Sequence, residues 1–320
     1  MRLGLIGAGA IAYEHARAIL ALGHEVALVS ALSERSPRWE KLKSLCPDAG
    51  FAAGAAEVLQ SPRTDAIVAC LPWNVTEGRL EDLLSCPKPV LIEKPVALSL
   101  TALQGAVDRH RGTLANKRVG YNRRFYEPAL RLRERIEQGG LRSAEVTISE
   151  DIENHVKRHG PEIVPHLMLF SSHALDLALF LLGPLNLLKT YPKKERGFPF
   201  VSCHALLETA GGAPVWLSSN ADDPCPVGIR CRFEDGTAWH LAPLETLRVY
   251  QGFEIAAADP KTNIRRYSPV LKEEVQADSK LKPGLLAQMR GFLAQESAVG
   301  ATVEQSLPLI SLAQALTAAS

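Results

Sequence analysis

R-L-G-L-I-G-A-G-A-I-A, residues 2–12, decides how the rest of the chain is read. Arg2 to Ile6 has the character of a buried strand. Gly7, Gly9 and Ala12 follow at G-x-G-x-x-A spacing, and Tyr13 to Leu22 has helical periodicity that stops at Gly23. Strand, glycine turn and helix in that order form the dinucleotide-binding fingerprint. Gly7 permits the tight turn, Gly9 lets main chain approach a pyrophosphate, and Ala12 lets helix and strand pack closely. The N–H groups of the helix start, Ala10 and Ile11 among them, then face the phosphates. A positive start, an apolar run and small residues also describe a short signal peptide. Glu14, His15 and Arg17 follow at once, however, so export is rejected.

Outward from this unit, Glu25 to Val29 is the second strand. A ribose-binding acid is expected near its end, about twenty residues past the glycines. Ala31 occupies that place, whereas Ser30, Ser33 and Arg35 suit a 2′-phosphate, which tilts the cofactor from NAD toward NADP. Glu34 reaches the ribose only if the loop is longer. Strands and helices alternate through residue 121: a helix near 38–45, a short element at 55–59, a strand at 65–70 and a helix at 76–84. Val90 to Ile92 is an apolar strand that delivers Glu93-Lys94-Pro95 at its carboxyl end, where such sheets place chemistry. A helix at 99–110 and a strand at 118–121 follow. The pattern is a doubly wound parallel sheet, assigned to residues 1–121.

Residues 122–320 read differently. After a helix at 128–138 ended by Gly139-Gly140, strands are expected at 144–149, 201–208, 214–219, 228–234 and 237–241, with Asp235-Gly236 as a hairpin turn. Residues 151–165 and 192–199 read as loops, and 282–296 and 307–318 as terminal helices. The result is an α+β domain with an open, mainly antiparallel sheet and few helices. Net charge is +1 and apolar residues make up 46%. Neither a nucleic-acid nor an anionic-membrane partner is indicated by that balance. No run approaches a membrane span in length. Six cysteines without a C-x-x-C pair read as reduced thiols in a cytoplasmic protein.

Taken together, G-A-G-A-I-A at 7–12, Pro72 and Asn74, E-K-P at 93–95, V-G-Y-N-R-R-F at 119–125, G-G-L-R at 139–142 and S-H-A-L-D-L-A-L-F-L-L-G at 172–183 carry a resemblance. The chain resembles the glucose–fructose oxidoreductase/inositol dehydrogenase/MocA (Gfo/Idh/MocA) family over nearly its whole length. That resemblance implies NAD(P)-dependent oxidation of a sugar or polyol hydroxyl, or the reverse reduction. It also implies an open second sheet that serves a homo-oligomer, a dimer or tetramer. Leu71, Pro72, Asn74, Glu93 and Lys94 are then expected beside the cofactor, and Asn122 and Arg123 near the substrate. Three positions depart from the family pattern: Thr76 stands where a histidine is usual, and Leu169 and Ser171 replace the Asp and Gly of D-x-G-x-H-x-x-D.

Hydride transfer from a secondary alcohol needs a proton acceptor at the oxygen and a group that stabilises negative charge there. Lys94 resembles the family lysine in this role. His173 can exchange a proton near neutral pH, with Asp176 three residues on. Alone, a histidine in F-S-S-H-A-L-D-L-A-L-F reads as a core residue; the flanking match makes it catalytic. His166 shares a face with His173 if the helix is continuous. If Pro165 instead ends a loop, His166 stands in for the missing acid or is simply exposed. His155 and His159 have metal-pair spacing but no third ligand, so no metal is expected. Arg124, Lys157 and Arg158 join Arg123 in basic doublets that suit an acidic or phosphorylated sugar if they converge. The leading reading is an oxidoreductase of a sugar, amino sugar or sugar derivative. A glycosidase-like enzyme that retains NAD and a turnover-free nucleotide sensor are the alternatives.

Overall fold

The computed structural model describes residues 1–195, 198–296 and 298–318. In chain order, β1 (Arg2–Ile6), α1 (Ala10–Ala21), β2 (Glu25–Ser30), α2 (Pro37–Leu45), β3 (Gly50–Ala52), α3 (Ala55–Gln60) and β4 (Ala66–Ala69) come first. They are followed by α4 (Trp73–Thr76), α5 (Leu80–Ser85), β5 (Val90–Ile92), α6 (Leu100–His110) and β6 (Lys117–Val119). Then come α7 (Glu127–Glu137), β7 (Leu141–Glu150), α8 (Ile152–His159), α9 (Leu167–Phe170), α10 (His173–Leu182), β8 (Leu185–Glu195) and β9 (Phe198–Thr209). The chain continues with β10 (Pro214–Ala221), β11 (Gly228–Phe233), β12 (Thr237–Leu241), β13 (Thr246–Ile255), β14 (Tyr267–Gln276), α11 (Leu285–Leu293) and α12 (Ser306–Thr317). Contacts group these into two units. One holds Met1–Phe125, Met168–Ser172 and Asp278–Ala313; the other holds Tyr126–Leu167, His173–Ala277 and the chain from Gln314.

The first unit is built on a six-stranded sheet in the order β3-β2-β1-β4-β5-β6, parallel throughout. The doubly wound sheet expected from the sequence is therefore present. Residues of β4 and β5 are buried along their whole length, as strands covered on both faces must be. Strand order reverses between β1 and β4, and a crevice at such a switch point is where ligands meet open α/β sheets. α1 starts at Ala10, ahead of the Tyr13 read from periodicity, and β3 is an addition too short to show a pattern. The core joins Leu3, Leu5, Val29, Val68 and Leu91 of the sheet to Ile19, Trp39 and Leu42, and also to Met289 and Phe292 of α11.

The second unit carries an eight-stranded sheet, β14-β13-β12-β11-β7-β10-β9-β8. It is mainly antiparallel, but β7 and β10 pair in parallel, Ala144 opposite Val215. Along β7 buried and more exposed residues alternate, the mark of a sheet covered on one face. α10 packs on β7 and β11, and α7 on β12, β13 and β14. Asp235-Gly236 makes the expected hairpin: Gly236 has φ +78°, and Cys231 pairs with Trp239.

Three readings are corrected here. Residues 151–165 are not a loop: Asp151 caps α8 by accepting from Asn154 N at 3.0 Å, and a 3-10 turn covers Pro161–His166. The described part of 192–199 is strand, in β8 and β9. Finally, Pro161–Leu182, with a mean hydropathy of 1.4, is long and apolar enough to cross a membrane by length and composition, although 61% of that window is buried inside the fold.

Candidate active site

The glycine loop binds the ends of two strands together before any ligand is considered. Gly7 N donates to Ser30 O at 2.9 Å, tying the end of β1 to the end of β2. Gly7 has φ +102°, and a Cβ there would stand 2.4 Å from Cys70 O, so the fold itself demands glycine. Gly9 is different. Its backbone is extended, with φ −72°, and a Cβ would meet nothing within 4 Å. Neither conformation nor packing explains this glycine. Gly9 caps α1, no side chain bonds to the helix start, and the first turn holds no acid. The N–H groups and positive end of the helix dipole are thus left to a ligand, as the anion site of a dinucleotide requires. Gly9→Val is expected to weaken dinucleotide binding at least about tenfold, or about 1.4 kcal/mol, at an unchanged unfolding midpoint. Titration by nicotinamide fluorescence, with thermal unfolding beside it, measures both.

After β2 the chain exposes Leu32, Ser33, Glu34 and Arg35, and Leu32 is fully exposed. Ala31 packs against the core instead. Ser33 Oγ accepts from Arg35 N at 3.1 Å, a local turn that holds the loop, and Ser30 is buried. Leu71, Pro72 and Asn74 follow β4; Pro72 and Asn74 are exposed. Thr76 is buried, and its hydroxyl donates to Pro72 O at 3.1 Å. This residue, standing where the resemblance would place a histidine, is committed to its own turn.

Lys94 leaves the end of β5, two strands from β1, about 10 Å across the sheet at ordinary strand spacing. Its Nζ donates to Phe170 O at 2.6 Å and lies 4.8 Å from the centre of the Phe170 ring. Leu169 is buried, so the position of the expected acid is apolar. A main-chain carbonyl one residue later holds the lysine. Ser172, wholly buried, bonds Tyr121 Oη at 3.0 Å. The helix breaks at Ser171–Ser172 and α10 starts afresh at His173. His166 and His173 therefore do not share one continuous helix. Asp176 lies one turn into α10 and is buried.

Other candidates are committed elsewhere. Glu93 is buried and bonded to His15 Nε2 at 2.7 Å. Asn122 Nδ2 donates to Pro283 O at 2.8 Å, and Arg124, also buried, donates to Gln305 Oε1 at 2.8 Å. These two side chains fasten the returning chain, Asp278–Ala313, within the first unit; Arg123 is the half-exposed member of the doublet. His155 and His159 stack on α8 with ring centres 6.3 Å apart, while Lys157 and Arg158 are exposed. Among the described residues no three His, Cys, Asp or Glu side chains converge as a metal site.

With the parallel sheet, glycine loop and Lys94 placed, comparison with known proteins becomes specific. Residues 1–120 match Gfo/Idh/MocA, an oxidoreductase family with an NAD-binding Rossmann fold. That match covers the nucleotide-fold portion of the chain, 120 of its 320 residues. An inositol 2-dehydrogenase of Rhizobium meliloti (strain 1021) is 28% identical over 234 residues, 69% of this chain and 68% of that protein. The structure of UDP-N-acetylglucosamine 3-dehydrogenase from Acidithiobacillus ferrooxidans has a TM-score of 0.72 and 18% identity, covering 99% of this chain and 96% of that one. An oxidoreductase from Agrobacterium radiobacter in complex with NAD+, L-tartaric acid and magnesium has a TM-score of 0.73 and 16% identity, covering 98% and 94%. At such identities the two structures show the fold alone. The glycine loop thus lies in a stretch similar to an NAD-binding Rossmann fold, and the similar proteins named are oxidoreductases.

Proposed function

We propose that this protein is an oxidoreductase that moves a hydride between a nicotinamide and a hydroxyl or carbonyl carbon of a sugar, cyclitol or sugar derivative. Residues 1–121 carry the dinucleotide and residues 122–320 the substrate and the oligomer contact. The observation that carries the reading is Lys94: a lysine on rigid strand backbone at the ligand end of the sheet, held by the Phe170 carbonyl. The open space at Gly9 and the uncapped start of α1 fit a dinucleotide pyrophosphate. A nicotinamide held there would supply or accept the hydride. Lys94 polarises the substrate oxygen and stabilises its developing negative charge. His173, three residues after the carbonyl that holds Lys94, takes the hydroxyl proton in oxidation and returns it in reduction. Asp176 orients that ring, and His166 is the alternative base. Inositol 2-dehydrogenase and UDP-N-acetylglucosamine 3-dehydrogenase are the named activities among the similar proteins. Half-exposed Arg123 suits an anionic member of the same substrate class.

For the cofactor, the absent acid at Ala31 and exposed Arg35 favour NADP over NAD. Titrating both is expected to give the lower dissociation constant for NADP; a tighter NAD complex assigns the ribose to Glu34 or to main chain. A homo-oligomer is proposed from the apolar side chains that the second sheet exposes, Tyr191, Trp216, Phe253, Ile255, Tyr267 and Leu271. Light scattering that returned a monomer would remove that part. Cytoplasmic residence is proposed from the six free cysteines.

The decisive experiment is an absorbance assay at 340 nm with cyclitols, sugars, amino sugars and sugar phosphates, in both directions. Buried Leu169 favours a second reading, a sensor without turnover. Binding of such a compound that alters cofactor affinity, without absorbance change in any pairing, selects the sensor.

A further inference from the structure

We propose that His15 is a positioning residue, which sets Lys94 through Glu93 and so fixes the reacting end of the site relative to the phosphate-binding helix. The inference rests on the role given above to Lys94. His15 is wholly buried in α1, the helix that begins at the glycine loop. Its Nε2 lies 2.7 Å from Glu93 Oε1. A carboxylate only accepts, so Nε2 carries the hydrogen. Nδ1 is buried without a hydrogen-bond partner. An unpaired buried ring nitrogen burdens the fold, and a leucine would fill such a place without it. Packing therefore does not account for a histidine here; the bond to Glu93 does.

Glu93 is clamped from its other side. A Cβ on Gly120 would stand 2.8 Å from Glu93 Oε1 and 2.9 Å from Cδ, so the glycine after β6 makes room for the carboxylate. Glu93 N donates to Ala69 O at 2.9 Å, which keeps the backbone in sheet register. The next residue is Lys94, whose Nζ donates to Phe170 O. The His15–Glu93 bond thus joins α1 to the backbone that aims the lysine.

Lysine reactivity tests this without any substrate. His15→Leu is expected to raise the rate of Lys94 acetylation by acetic anhydride at least about threefold, read by mass spectrometry, with Lys117 as the buried reference. His15→Gln, whose amide N–H still reaches the carboxylate, is expected to keep the wild-type rate. Turnover, where the wild type shows it, falls about tenfold or more in His15→Leu with little change in cofactor dissociation constant, and recovers in His15→Gln. If His15→Leu does not fold, Glu93→Leu removes the same bond from the other end and must raise the same labelling. Unchanged Lys94 labelling in the leucine variants, or equal labelling in His15→Leu and His15→Gln, overturns the proposal. Altered labelling in a wild-type background without turnover would instead leave the positioning role standing and remove the enzymatic reading.

Discussion

Lys94→Ala is expected to lower turnover at least about a hundredfold, and His173→Ala by a similar factor. Each tenfold loss corresponds to about 1.4 kcal/mol of barrier, and general acid–base groups contribute roughly 10²–10⁴-fold. Dinucleotide affinity should stay nearly intact in both variants. The glycine loop is held by Gly7 and Ser30 main chain, and neither substituted side chain takes part in it. Initial rates at 340 nm, with cofactor titration beside them, separate kcat from binding. Lys94→Arg is a useful companion. A guanidinium keeps the charge but cannot reproduce the position of a compact ammonium at the Phe170 carbonyl, so it should recover little. Near-normal turnover in His173→Ala with a dead His166→Ala would transfer the base to His166.

Lys117→Met is expected to cost about 3 kcal/mol or more of stability and several degrees of unfolding midpoint. Lys117 begins β6 and is wholly buried, yet its ammonium donates to Cys86 O at 2.8 Å, Lys88 O at 3.1 Å and Thr113 O at 3.1 Å, and also to Asn116 Oδ1. Methionine preserves the volume and strands those acceptors, each costing about 1–3 kcal/mol when left unpaired. Burial pushes the Lys117 ammonium down to about 8. The folded protein gives up this proton near pH 8, whereas an unfolded lysine holds it to about 10.4. Between those values the unfolded chain binds more protons, so this residue's contribution to stability rises with pH. The gap between wild type and Lys117→Met in chemical denaturation should therefore widen above pH 8; a gap that narrows there would contradict the assignment.

The sheet and loop of the first unit were legible because their signals are local. A buried strand, two glycines and a periodic helix sit within some twenty residues, and β5 ends in a lysine and a proline. The second unit hid its outer strands for a physical reason. β14 is exposed along nearly its whole length, so its sequence carries no alternation. The end of β8, with Pro192, Lys193 and Lys194, reads as loop. α8 is short and charged, although Asp151 at its start was a usable cap signal. Within the site, Lys94 could be found from its neighbours in sequence. Its partner could not, because a main-chain carbonyl leaves no mark on the identity of Phe170. His15 was overlooked among the alanines of α1, yet an ionisable residue on the buried stripe of a helix was itself the clue. Asn122 and Arg124 were noticed for their motif, but their side chains secure distant parts of the chain, a pairing that no local pattern announces.

That long-range fastening bears on how the chain comes to be folded. Met289 and Phe292 complete the core that also contains Leu3 and Leu5, and Val119 bonds to Ala301 across an isolated bridge. During synthesis at about 5–20 residues per second, the first strands must therefore wait tens of seconds for the segment that seals them. Until then the apolar surface that Met289 and Phe292 cover stays open. The first unit is thus discontinuous in sequence, and its core is completed only when residues 289–292 are in place.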